Sequence, residues 1–191
     1  MEIYGPLITA LHLPFPVRTW IIHSMLDRTI IEQQLQGGVD KVCRIFPEGI
    51  RKKIPRLISP MMLWIMTSIE NIPVYRGSTY EVMKTMRATV EAMECYDNIL
   101  IFPENSGAQG EDGVYKTEGI SAFFSGFSKI GSSYYKATGK HTIFYPMYAD
   151  RKKHRIFIGD GIEFDPSHKS ADEKCRIVNY LHDTMEELSK N

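Results

Sequence analysis

Ile72-Pro73-Val74-Tyr75-Arg76-Gly77-Ser78-Thr79-Tyr80-Glu81 is the stretch on which the reading of the fold turns. A short apolar run carries a guanidinium to the place where a helix begins. Ser78, with Glu81 three residues later, is the reciprocal pair that closes a helix N-terminus. The unbonded amides and positive end of such a helix favour an anion, and Arg76 can grip a phosphate through two charge-assisted hydrogen bonds. A surface Arg paired with a carboxylate is the plainer alternative. The helix is predicted from Thr79 to about Cys95, with Val82, Met86, Val90 and Met93 inward and Lys84, Arg87, Glu91 and Glu94 outward.

Downstream, residues 98–102 read as a compact apolar strand that ends in Pro103-Glu104-Asn105-Ser106-Gly107. That run is a carboxylate followed by small polar residues able to turn and offer backbone amides. Loops beyond strand ends are where α/β folds place ligands, although a solvated loop has the same composition. A polar loop continues to about residue 118, and a helix is predicted over 121–137. Residues 142–149 and 155–158 read as strands about a charged turn at 150–154, and an amphipathic helix covers 171–189.

Upstream, residues 6–14 read as a helical segment ending at Pro14-Phe15-Pro16, and 17–22 as a strand. A helix over 26–35 is expected to stop at Gly37-Gly38, and another is expected over 56–70. The alternation predicts an α/β fold: one domain over residues 1–191, with a central, mostly parallel or mixed sheet flanked by helices.

A length of 191 residues with 43% hydrophobic and 24% charged side chains suits a globular domain and excludes a disordered one. The 23 Lys and Arg balance 23 Asp and Glu, so no global field recruits nucleic acid. Cys43, Cys95 and Cys175 are odd in number and scattered, which points to a reducing compartment. Glu2 and Pro6 arrive at once, so no signal peptide and a cytoplasmic location are expected. The most apolar stretch, residues 57–69, is too short to span a bilayer and reads as a buried helix. Arg51, Lys52, Lys53 and Arg56 precede it, which also suits a helix lying on the cytoplasmic face of an anionic membrane. His141, His168 and His182 show no metal-ligand spacing, and no Cys has an adjacent base that would make it a nucleophile.

In order, these units resemble the glycerolipid acyltransferase family, specifically the 1-acylglycerol-3-phosphate (lysophospholipid) acyltransferases. That family carries an Ile-Pro-Val-x-Arg-like block, a helix, and a strand ending in Phe-Pro-Glu-Gly; a glycine-bearing helix and a strand with Pro-Val or Pro-Ile follow. Phe102-Pro103-Glu104, Phe124-Ser125-Gly126-Phe127 and Tyr145-Pro146-Met147-Tyr148 match the later blocks, and Ile158-Gly159-Asp160-Gly161-Ile162 resembles the closing strand. The resemblance implies a glycerol-3-phosphate acyltransferase-like fold. It also implies transfer of a fatty acyl group from acyl-CoA or acyl-carrier protein to a lysophospholipid-type hydroxyl, with no metal or bound cofactor. Arg76, Gly77 and Ser78 would hold the acceptor phosphate, and Glu104, Asn105, Ser106 and Gly107 would shape the acceptor and thioester site. The chain departs from the family at Asn105, where Gly is usual, at Gly107 and Ala108, where Arg and Ser are common, and at Phe124, where Lys is frequent.

The family's proton acceptor is a His followed, after four residues, by an Asp. Tyr4-Gly5-Pro6-Leu7-Ile8 aligns with the end of that motif, so Gly5 takes the Asp position and the His is expected just before Met1, behind a missing first core strand. A non-catalytic lipid- or acyl-binding relative, truncated or decayed, is the alternative. His23 and Asp27 are the substitute pair within the chain; only three residues separate them, and they occupy the strand-and-helix stretch after the motif. Phe46-Pro47-Glu48-Gly49 repeats the family wording more closely than residues 102–105, but it precedes the Arg76 block and reads as an exposed insertion loop.

Overall fold

The computed structural model describes residues 9, 12–42, 47–68, 71–75, 78–104, 123–150 and 153–190. The chain is an α/β fold whose residues gather into two compact units. The first comprises Met1–Glu2, Phe15–Ala92 and Asp97–Leu100; the second comprises Ile3–Pro14, Met93–Tyr96 and Ile101–Asn191.

The first unit is built on a parallel sheet of order β2-β1-β3, from β1 (Val17–Ile22), β2 (Asn71–Val74) and β3 (Asn98–Leu100). Thr19 lies opposite both Asn71 and Leu100, so the central strand is covered on both edges and all three strands end on one side. Helix α1 (Arg28–Val42), the short α2 (Glu48–Arg51) and α3 (Lys53–Ser68) form an insertion between β1 and β2, and α4 (Thr79–Glu94) crosses back before β3. Arg18 ties the start of β1 to the approach to β3 through Asp97, at 2.6 Å.

Three expectations for this unit are corrected. Helix α1 does not stop at Gly37-Gly38 but runs through them to Val42. Two mid-helix glycines cost about 1 kcal/mol each relative to Ala, and packing of α1 along α3, with Arg51 reaching Asp40 at 3.2 Å, outweighs that cost. Helix α4 buries Thr85, Thr89 and Ala92, whereas Val82 is exposed and Met86, Val90 and Met93 are half-buried. Small residues let the helix approach the sheet closely, and each buried hydroxyl has a partner there. The residue 57–69 stretch, read as a buried helix, has one face open: Leu57 is 81%, Met61 55% and Trp64 68% exposed. Glu48 is exposed, as expected, but begins a short helix and pairs with Lys52 at 2.7 Å.

The second unit packs α5 (Lys129–Thr138), entered through a 3₁₀ turn at Ser125–Ser128, and α6 (Ser170–Lys190) with two antiparallel strand pairs. Its core includes Phe127, Ile130, Tyr134, Phe164, Ile177 and Leu181. The strand expected over 142–149 is two strands, β4 (Ile143–Phe144) and β5 (Met147–Asp150), which pair with β7 (Ile162–Glu163) and β6 (Arg155–Ile158) respectively. Pro146 lies at the break: it has no N–H for a ladder, and its carbonyl instead accepts from Gly159 at 2.9 Å. Gly139 ends α5 in the left-handed conformation at φ 72°, where a side chain is disfavoured. The helix expected over 6–14 lies mostly outside the described residues, although Thr9 and His12 are helical.

Candidate functional site

The carboxyl edge of the parallel sheet brings His23, in the turn after β1, beside Tyr75, the residue that follows β2. Strand β1 ends at Ile22 opposite Val74, which brings the next residues of the two strands side by side. The rings of His23 and Tyr75 stack there, with centroids 4.7 Å apart and planes 29° apart. The Tyr75 amide donates to Thr85 Oγ1 at 3.2 Å, and that hydroxyl donates to the Pro73 carbonyl at 2.9 Å. The backbone leading into Arg76 is thus fixed against α4. Arg76 and Gly77 lie outside the described residues.

Beyond them, the start of α4 is closed as its sequence implied. The Ser78 amide donates to Glu81 Oε2 at 3.1 Å, and the Glu81 amide donates to Ser78 Oγ at 3.4 Å.

His23 sits in a 3₁₀ turn, His23–Leu26, with its ring exposed. Asp27 serves the next helix: its Oδ1 accepts the Thr29 amide at 2.7 Å and caps α1. That amide chiefly holds the Asp27 carboxyl below its ordinary range, with the His23 charge a smaller influence.

Glu104 belongs to the second unit. The parallel sheet stops at Leu100, two residues short of the strand end expected at 102. Glu104 is exposed and forms a single antiparallel bridge with Phe123, beside the Phe124 amide, which donates to the Pro103 carbonyl at 2.7 Å. Asn105, Ser106 and Gly107 lie outside the described residues.

Sequence reasoning missed a charged cluster in the second unit. Glu173 is only 2% exposed; Arg176 donates to its two carboxylate oxygens at 2.7 Å each, and the Asp165 amide donates at 2.8 Å. His168 Nδ1 lies 2.8 Å from the same carboxylate, and Arg176 reaches the Glu163 carbonyl at 2.6 Å. Arg176 above all, then the Asp165 amide and His168, hold the Glu173 carboxyl at about 2 against the opposing effect of burial. The i,i+3 spacing of Glu173 and Arg176 is the local signal, whereas the loop that closes on them leaves none. An open cavity of about 320 Å³ adjoins this cluster, lined by Lys129, Tyr135, Lys136, Phe164 and Lys174 among others, and includes none of the sequence-predicted site residues.

Comparison of the chain with protein-family models, curated proteins and solved structures found no match.

Proposed function

We propose that this chain belongs to the acyl-transfer chemistry of the 1-acylglycerol-3-phosphate acyltransferases, within a glycerol-3-phosphate acyltransferase-like fold. The observation that carries the reading is the junction of β2 with α4. In the sequence Arg76 lies between strand β2 and a helix start closed by the Ser78–Glu81 pair, and that helix is pinned to the strand through Thr85. Such a junction presents helix amides and a guanidinium to an anion, which suits the phosphate of a lysophospholipid. The order of the later blocks, from Phe102-Pro103-Glu104 to Tyr145-Pro146-Met147, supports the same reading.

In the proposed reaction the acceptor hydroxyl oxygen attacks the thioester carbonyl carbon. The new C–O bond forms, the C–S bond breaks, the hydroxyl proton passes to a base, and the thiolate leaves and is protonated. In this family a His takes the proton; within the chain, His23 at the β1–β2 edge is the substitute imidazole. Arg76 holds and orients the acceptor and does not itself move a proton.

A second reading, a lipid-binding relative without turnover, is favoured by Gly5 at the position of the family's Asp. Mass spectrometry of the chain incubated with an acyl-CoA and 1-acylglycerol-3-phosphate tests both. Diacyl product with stoichiometric CoA release supports the enzyme. Binding of the lysolipid without product favours the second reading, and neither binding nor product would overturn both.

A further inference from the structure

Helix α3 is apolar on two faces, and the fold covers only one of them. The inner side, including Pro55 and Ser59, is buried, with Ser59 Oγ donating to Glu32 Oε1 of α1 at 2.9 Å. Lys53, Arg56, Leu57, Pro60, Met61, Trp64, Thr67 and Ser68 are exposed and share the opposite side at helical spacing. The exposed stripe Leu57, Met61 and Trp64 is the part that water solvates worst.

Charge identifies what would cover it. From Gly49 to Ile69 the chain has four cations, Arg51, Lys52, Lys53 and Arg56, and no Asp or Glu. Arg51 and Lys52 are engaged by Asp40 and Glu48, while Lys53 and Arg56 stand on the same exposed side as the apolar stripe. An apolar strip with cations at one end and an indole at the other matches the headgroup and acyl layers of an anionic bilayer. At 16 residues, α3 is about 24 Å long and too short to cross the roughly 30 Å hydrocarbon layer. Among the described residues no helix is long and apolar enough to cross a membrane. Lying in the interface plane is the geometry left to α3.

We propose that the outward face of α3 docks on an anionic lipid surface, with Leu57, Met61 and Trp64 entering the acyl boundary and Lys53 and Arg56 meeting lipid phosphates. This inference goes beyond acyl transfer and holds whether or not the chain turns over a substrate.

Flotation of the full chain with phosphatidylcholine vesicles, and with vesicles in which part of that lipid is phosphatidylglycerol, tests it without any lysolipid or thioester present. The chain should float with the anionic vesicles and far less with the neutral ones. K53Q/R56Q should weaken anionic partitioning roughly 30-fold, and L57S/W64S should abolish it while leaving the circular dichroism spectrum intact. Should L57S/W64S misfold, tryptophan emission of the unmodified chain decides: a blue shift on adding anionic vesicles supports the proposal, and an unchanged spectrum overturns it. Equal recovery on neutral and anionic vesicles, or flotation unaffected in the variants, would also overturn it. So would a dimer that L57S/W64S dissociates without any vesicle binding, since the occupant would then be a second copy of the chain.

Discussion

The indole Nε1–H of Trp20, on the central strand, donates to Thr89 Oγ1 at 3.0 Å, and that hydroxyl donates onward to the Thr85 carbonyl at 2.7 Å. Helix α4 is therefore seated on the sheet by a chain of satisfied hydroxyls, Thr89 against β1 and Thr85 against β2. The same seating holds the backbone that leads into Arg76.

Replacing Thr89 by Val keeps the shape and removes the acceptor of a half-buried indole N–H. The loss should be about 1–3 kcal/mol, read as a lower urea midpoint at unchanged slope. Val82→Ala, on the exposed side of the same helix, should cost under about 1 kcal/mol. The reverse ranking would restore the inward face expected from the hydrophobic spacing.

Glycines give a second pair of opposite signs. Gly37 and Gly38 lie mid-helix with open space where a Cβ would go, and neither has a positive φ. Each Gly→Ala change there should stabilise by about 0.5–1 kcal/mol. At Gly131 an added Cβ would sit 2.7 Å from Phe164 Cδ2 and 3.0 Å from its Cβ, inside the core of the second unit. Gly131→Ala should cost about 1–3 kcal/mol through overpacking. Thermal melts of the three variants measure both signs.

Glu173 makes stability depend on acid. Its folded carboxyl is held at about 2, below the ordinary 4.5, so the unfolded chain binds the proton more readily. The contribution is fully present above about pH 4.5 and is lost as pH falls towards about 2. At neutral pH it is worth on the order of 3 kcal/mol. Glu173→Gln should lower stability at pH 7 and flatten the fall between those two pH values. Denaturation curves with the slope of the unmodified chain across that range would remove the carboxylate from the account.

What the sequence disclosed about this fold is what is local. The capped start of α4 was legible because the Ser78–Glu81 pair needs only residues within one helical turn. The inward face of α4 was not, because hydrophobic spacing rates a threonine as polar until its partners, Trp20 and Pro73, are known. The uncovered side of α3 was hidden for a related reason: a helix apolar all round does not say which side a neighbour covers. Of the candidate site, His23 beside Tyr75 depends on the register of β1 with β2, which a single strand pattern does not set. The division of residues 142–149 was signalled only by Pro146, and the Glu173 cluster depends on how the loop after β7 folds back.

The central claim is that the β2–α4 junction holds the phosphate of a lysophospholipid. Calorimetric titration of the full chain with 1-acylglycerol-3-phosphate, and with the same monoacylglycerol lacking phosphate, tests it most directly. The phosphorylated lipid should bind and the neutral one should not. Arg76→Ala should weaken binding roughly ten- to hundredfold, Arg76→Lys should restore only part of it because an ammonium lacks the planar fork, and Glu48→Ala should change nothing. Equal affinity for the two lipids, or an Arg76→Ala variant that binds like the unmodified chain, would contradict the claim.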